Sequence, residues 1–206
     1  MAPRVAVLLS GCGVYDGSEI HEAVLTLLAL DQNGAEIVCC APDIEQADVV
    51  NHLTGQPMSE KRNVLVEAAR IARGKIEDLK NITPAVVDAL ILPGGYGAAK
   101  NLCSYAKDGV NAKVHPEVAR VIHDFVSAGR PIGAICIAPM VVAAAFRDTK
   151  EIIPTLTIGN DPQAVLDIST MGADHVECSA REICVDRKNR IVSTPAYMLA
   201  KGPAEL

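Results

Sequence analysis

The sequence predicts an α/β fold: a mostly parallel sheet with helices on both faces. Three observations point there. Half of the 206 residues are hydrophobic while aromatic residues make up only 3%, so the core is built from Val, Ile, Leu and Ala. That composition suits parallel strands covered by helices better than an aromatic-rich sandwich. Short continuous apolar runs alternate along the chain with stretches of helical periodicity. The loops at 11–18, 93–97 and 136–139 each follow the end of an apolar run, and open α/β sheets bind ligands at the carboxyl ends of their strands.

Composition also excludes some roles. A net charge of −6 argues against non-specific nucleic-acid binding, which relies on clustered Lys and Arg. No apolar run approaches membrane-spanning length, so no membrane partner is expected. The start, Met1-Ala2-Pro3-Arg4 and a short apolar run, makes neither a signal peptide nor a convincing organelle-targeting peptide. Seven cysteines, an odd number with no C-x-x-C, indicate a reducing compartment, most simply cytoplasm; a processed organelle protein would look the same. No linker or repeat divides residues 1–206, which reads as one domain.

Arg4 to Gly11 is a buried strand. The loop Gly11-Cys12-Gly13-Val14-Tyr15-Asp16-Gly17-Ser18 follows. Its glycines lack the third member of a dinucleotide fingerprint, yet Asp43 after the second strand could serve as the ribose-binding acid. A nucleotide site therefore stands open beside the plainer reading of turn glycines at the sheet edge. Ser18 or Asp16 caps a helix to about Asp31, stopped by Asn33-Gly34. Ile20, Val24, Leu27 and Leu28 form one apolar face; Leu25 and Ala29 form a second stripe, with Glu22 in line. A helix apolar on both sides is buried on both, one face on the sheet and the other on an insertion or a second subunit. A carboxylate there is partly desolvated, which raises its pKa. The alternative for Glu22 is a solvated first-turn glutamate that complements the helix dipole, a role that suits Glu19 better.

Ala35 to Ala41 is the second strand, ended by Pro42-Asp43, and residues 44–62 are polar and irregular. Helical periodicity returns from Asn63 to Arg73, with Gly74 as its stop. Val87 to Leu92 is a third apolar run leading into Pro93-Gly94-Gly95, whose backbone N–H groups could hold an anion or a developing oxyanion; a tight strand-to-helix turn is the alternative. A polar loop at 103–115 precedes an amphipathic helix from Pro116 to Ala128. Pro131 to Cys136 is the next strand, then Thr155 to Gly159, a helix from Gln163 to Met171, a possible strand at 175–178, a hairpin from Ile183 to Thr194, and a last helix from Tyr197.

Chemistry concentrates at Gly133-Ala134-Ile135-Cys136-Ile137-Ala138-Pro139. An apolar run ends at a cysteine and a helix-compatible run begins at once, with proline at the first helical position. That is the sequence of a nucleophile elbow, where a helix N-terminus favours a thiolate and lowers the thiol pKa. The alternative is a small core cysteine.

Leu92-Pro93-Gly94-Gly95, the elbow at Cys136 and a glutamate twelve residues before Gly34 together resemble the DJ/ThiJ/PfpI superfamily. Its fold is flavodoxin-like and akin to class I glutamine amidotransferases. Asn51-His52-Leu53-Thr54-Gly55, Gly97-Ala98-Ala99-Lys100-Asn101-Leu102 and Thr194-Pro195-Ala196-Tyr197-Met198 are more specifically similar to the ElbB branch, described as glyoxalase-like or as an isoprenoid-biosynthesis protein with an amidotransferase-like domain. The resemblance implies Cys136 as nucleophile, Glu22 as its carboxylate partner, and backbone N–H groups of Gly95 and Ile137 as an oxyanion site. Family proteases carry histidine directly after the elbow cysteine, where this chain has Ile137; other members supply one from the next strand, where Thr157-Ile158-Gly159-Asn160-Asp161 offers none. His175 and Glu177 look like an amidotransferase His-x-Glu but fall in an edge segment. The activity implied is a cofactor-independent glyoxalase, or a related deglycase, acting on small dicarbonyls with slow turnover. No metal is implied, and Cys12, His52 or Asn160 are possible accessory groups. A redox sensor or chaperone-like protein with an oxidisable Cys136 is the alternative. A homodimer is expected from the second stripe of the first helix.

Overall fold

The computed structural model describes residues 2–149 and 151–206. In chain order the elements are β1 (Arg4–Leu8), α1 (Ile20–Gln32), β2 (Glu36–Ala41), β3 (Val50–Asn51), β4 (Gln56–Pro57), α2 (Val64–Ile71), β5 (Glu77–Asp78), β6 (Ala89–Leu92), α3 (Tyr105–Asp108), α4 (Pro116–Ser127), β7 (Ile132–Ile135), α5 (Pro139–Phe146), β8 (Thr155–Leu156), α6 (Pro162–Thr170), β9 (Asp174–His175), β10 (Cys184–Asp186) and β11 (Ile191–Thr194). Seven of these strands form one sheet in the order β10-β11-β7-β6-β1-β2-β5. All its pairings are parallel except β10 with β11.

The period-two alternation of a strand decides which side chain meets which helix layer. On β1, Ala6 and Leu8 join a core with Ile122 and Phe125 of α4 and Met140 of α5. Val7 and the following Leu9 join a second core with Ala23 of α1 and Val64 and Ala68 of α2. Both faces of the central strands are thus buried, which is why these strands read as continuous apolar runs. Helix α4 buries Val118, Val121, Ile122 and Phe125, one stripe at helical spacing. Helix α5 buries every residue but Ala145, as a helix apolar all round must. The C-terminal ends of β1, β6 and β7 lie side by side, so the three loops after them meet.

Several elements depart from expectation. The cap of α1 is Glu19, whose Oε2 accepts the Glu22 N–H at 2.7 Å. Ser18 and Asp16 are used elsewhere: Ser18 Oγ accepts from Ser10 N at 2.9 Å, and Asp16 Oδ2 accepts from Val50 N at 2.8 Å. The buried face of α1 is also rotated from the expected one. Ala23, Leu27 and Leu30 pack toward the sheet, while Ile20, Val24 and Leu28 are 44–47% exposed. Residues 44–62 contain the β3–β4 hairpin, and α3 lies within 103–115. The 155–159 strand stops at Leu156 and pairs with β9, outside the main sheet, and Gly159 turns with φ +87°. The last helix does not form. Two short 3-10 turns, Ala196–Met198 and Pro203–Glu205, take its place, since Gly202-Pro203 interrupts any longer helix. Among the described residues, no helix is long and apolar enough to cross a membrane.

Candidate active site

The sheet delivers Cys136 to its C-terminal edge. Its N–H donates to Thr194 O on the neighbouring β11 at 3.0 Å, and the chain then reverses, with Ala138 N bonding Ile135 O at 3.0 Å. Cys136 takes φ +60°, a left-handed conformation that costs an L-residue about 1–2 kcal/mol. Strain of this kind persists where the surroundings over-determine it, here the β11 hydrogen bond on one side and Pro139 opening α5 on the other. The strained turn holds the sulfur at the mouth of the sheet, facing the backbone N–H groups of Gly95 and Ile137, which favour its thiolate. The elbow is therefore present.

Opposite the sulfur stands Glu22, 2% exposed. Its Oε2 accepts from Gly94 N at 3.0 Å and its Oε1 from Tyr197 N at 3.2 Å. Its carboxyl also faces the Cys136 thiol. Gly94 is wedged between the two. A Cβ there would lie 2.4 Å from Cys136 Cβ and 2.5 Å from Glu22 Oε2, so no residue with a side chain fits. Gly95 has φ +97°, and its Cβ would strike Glu19 N at 2.3 Å. The reason is that the 93–97 loop is zipped to the 11–18 loop: Glu19 N bonds Gly94 O, Tyr96 N bonds Val14 O, and Gly97 N bonds Gly17 O.

Electrostatics follow from this crowding. Burial, the largest influence, pushes the Glu22 carboxyl up to about 7; the Tyr197 N–H and the Cys136 contact pull it down, and Glu19 adds to the rise. The Cys136 thiol is also raised, first by burial and then by Glu22, while the Gly95 and Ile137 N–H groups oppose the rise. The lowering expected from the helix N-terminus is thus outweighed by burial beside a carboxylate. Two acids in one dry volume are coupled, so their titration steps belong to the pair.

The sulfur opens onto a cavity of about 400 Å³, lined besides Cys136, Gly95 and Ile137 by His21, Tyr96, Tyr197 and Met198 among others. Two of these, His21 and Tyr197, carry no site role in the sequence reading, and they meet: His21 Nδ1 lies 2.7 Å from Tyr197 Oη. The three accessory candidates are not part of this lining. Cys12 lies among Glu67, Arg70, Asp16 and Arg62, and burial raises its thiol. His52 holds the hairpin to the first loop, accepting from Tyr15 N at 3.2 Å through Nε2 while Nδ1 meets Val50 O at 3.0 Å. Asn160 lines a separate cavity with Glu177. His175 bonds Ile158 N at 3.5 Å and lies outside the Cys136 cavity.

The dinucleotide reading finds no support in the first loop. Gly13 N bonds Ser18 O and Gly17 N bonds Gly13 O, so these donors are spent within the loop. Asp43 accepts from Asn63 Nδ2 at 2.7 Å. Ala98–Leu102 is a π-helical turn whose Asn101 ties the loops around the site together. Its Nδ2 donates to Ser10 O and Asp16 O, both at 2.9 Å, and its Oδ1 accepts from Ala47 N at 2.8 Å.

A parallel sheet with an elbow cysteine, a facing glutamate and a glycine loop defines a class I glutamine amidotransferase-like α/β protein. Within that class the chain belongs to the DJ-1/PfpI family, whose model matches residues 4–151. It is 48% identical to the human "Glutamine amidotransferase-like class 1 domain-containing protein 3, mitochondrial", over 96% of this chain and 75% of that protein. It is 45% identical to the "ES1 protein homolog, mitochondrial" of Rattus norvegicus, over 95% of this chain and 75% of that one. The crystal structure of an isoprenoid biosynthesis protein with amidotransferase-like domain from Ehrlichia chaffeensis superposes with TM-score 0.90 at 41% identity, covering 98% of this chain and 92% of that one. Drosophila melanogaster DJ-1beta shares the fold, with TM-score 0.56 at 18% identity over 100% of this chain and 84% of that one.

Proposed function

We propose that the chain, acting as one domain, is a cofactor-independent glyoxalase, or a related deglycase, that converts methylglyoxal or glyoxal to the hydroxy acid. One observation carries the reading. The sulfur of a strained, buried cysteine meets two backbone N–H donors on one side and a carboxyl raised to about 7 on the other. Glu22 takes the thiol proton as the sulfur adds to the aldehyde carbon, giving a hemithioacetal. The Gly95 and Ile137 N–H groups hold the oxyanion. Glu22 passes the thiol proton to that alkoxide, which regenerates its carboxylate; it then removes the proton from the same carbon and returns it to the neighbouring one, a shuttle that a group with pKa near 7 performs well in both directions. The product is a thioester on Cys136, and water releases the hydroxy acid and the thiol. The test is lactate formation from methylglyoxal, without glutathione, by wild type, Cys136→Ala and Glu22→Gln. Activity in wild type alone supports the reading; equal behaviour of all three removes it.

A redox role rests on the same sulfur, because N–H donors that hold an oxyanion also hold the oxygens of a sulfinate. Selective addition of two oxygens at Cys136 under mild peroxide, read by whole-protein mass, with no lactate formed, would favour it. A homodimer is proposed, now from Ile20, Val24 and Leu28, the face of α1 left exposed by its rotation, in place of the second stripe of Leu25 and Ala29. The proposed setting is reducing, cytoplasm or the matrix of an organelle, as the mitochondrial relatives suggest.

A further inference from the structure

The glyoxalase reading leaves one step without a group to perform it. The thioester on Cys136 must be hydrolysed, and Glu22 is badly placed to activate the water. Glu22 is sealed on the inner side of the sulfur, 2% exposed, with each oxygen accepting from a backbone N–H. A water that attacks the thioester comes from the open side of the cavity.

His21 is on that side. Its side chain is 56% exposed, and its ring lines the cavity of Cys136. Of the five histidines, it is the one in that lining among the described residues. The ring is held by two contacts. Nδ1 lies 2.7 Å from Tyr197 Oη, and Glu19 Oε1 lies 4.0 Å from the same nitrogen. Tyr197 in turn donates its backbone N–H to Glu22, so one residue of the 196–198 turn registers both His21 and Glu22 against the sulfur.

We propose that His21 is the general base for the second half of the reaction, oriented by Tyr197. The inference rests on the glyoxalase reading and assigns its hydrolytic step. In the productive tautomer Nδ1–H donates to Tyr197 Oη, which leaves the Nε2 lone pair free to take a proton from water. The hydroxide adds to the thioester carbonyl carbon, the C–S bond breaks, and the electron pair returns to sulfur. The imidazolium's proton neutralises the departing thiolate, and the nascent carboxylic acid ionises to solvent. Glu19 offers its carboxylate to the transient imidazolium. Tyr197, with its hydroxyl raised by burial and by the Glu19 and Glu22 charges, stays protonated and can donate to the carbonyl oxygen. This arrangement puts the missing histidine of the elbow on α1, one residue before the glutamate.

The test is single-turnover reaction with methylglyoxal, quenched in acid and read by intact mass. Hydroxylamine treatment then separates thioester from hemithioacetal. His21→Gln and Tyr197→Phe are compared with wild type, with melting curves to show that both fold. In the variants the hydroxylamine-sensitive adduct is expected to form at the wild-type rate and to persist, with lactate release slowed on the order of 100-fold in His21→Gln. Wild-type release in His21→Gln overturns the proposal. So does an equal slowing of adduct formation, which would place His21 before the thioester. If wild type forms neither adduct nor lactate, the glyoxalase reading itself has failed and the base assignment falls with it.

Discussion

The buried carboxyl of Glu22 makes the sharpest prediction. Its pKa in the folded protein is about 7 against an ordinary 4.5. A raised folded-state pKa means that the native chain binds the proton more tightly than the unfolded chain between those values. The associated stability is complete below the unfolded pKa and is lost as pH rises through the folded one. Ionising the buried group costs about 3 kcal/mol in full, at about 1.4 kcal/mol per pH unit. Between about pH 5 and about pH 8 wild type is expected to lose about 2–3 kcal/mol that Glu22→Gln does not lose. The glutamine itself carries a penalty of about 1–3 kcal/mol, because its NH₂ must face either Gly94 N–H or Tyr197 N–H. That penalty does not vary with pH and drops out of the comparison. Urea denaturation at each pH supplies both stabilities, with an unchanged slope showing that the unfolded ensemble is the same. If wild type and Glu22→Gln change in parallel across this range, Glu22 does not titrate near 7 and its place as the proton shuttle beside Cys136 is wrong.

Other substitutions probe the frame of the site. Gly94→Ala forces a methyl between Cys136 and Glu22, so lactate formation should vanish and the melting temperature should fall; an active variant would show that the two groups do not need that contact. Asn101→Ala strands the Ser10 and Asp16 carbonyls and the Ala47 N–H. It should cost about 2–4 kcal/mol in chemical denaturation, and a loss under about 0.5 kcal/mol would remove Asn101 as the tie between loops. Val24→Glu places a charge on the exposed apolar face of α1 and should turn a dimer into a monomer in light scattering. A wild type that is already monomeric contradicts the dimer.

The sequence disclosed much of this architecture because the strongest local signals coincide with it. The apolar runs became the central strands, and Pro139 after Cys136 marked the elbow that the φ of +60° realises. The orientation of α1 was not legible. Ile20, Ala23, Val24, Leu25, Leu27, Leu28 and Leu30 put apolar side chains around most of the helix, so the pattern had no face to choose. The β3–β4 hairpin was hidden for another reason: its strands are only two residues each, with β4 exposed, and it is held by contacts with Asp16 and Tyr15. His21 is not legible in the sequence because its meaning lies in a partner 176 residues away. Its one local signal is a histidine directly beside the glutamate that the family resemblance picks out. The rise in the Cys136 pKa was equally invisible: the helix end can be read from Pro139, but the burial that outweighs it is a tertiary property.

The most direct test of the central claim is to follow ¹³C-labelled methylglyoxal by NMR in the presence of purified, chelator-treated protein without glutathione, with wild type and Cys136→Ala side by side. Growth of the lactate resonances with wild type and none with Cys136→Ala is the predicted result. Lactate at the same rate from both, or from neither, contradicts a cysteine-based glyoxalase.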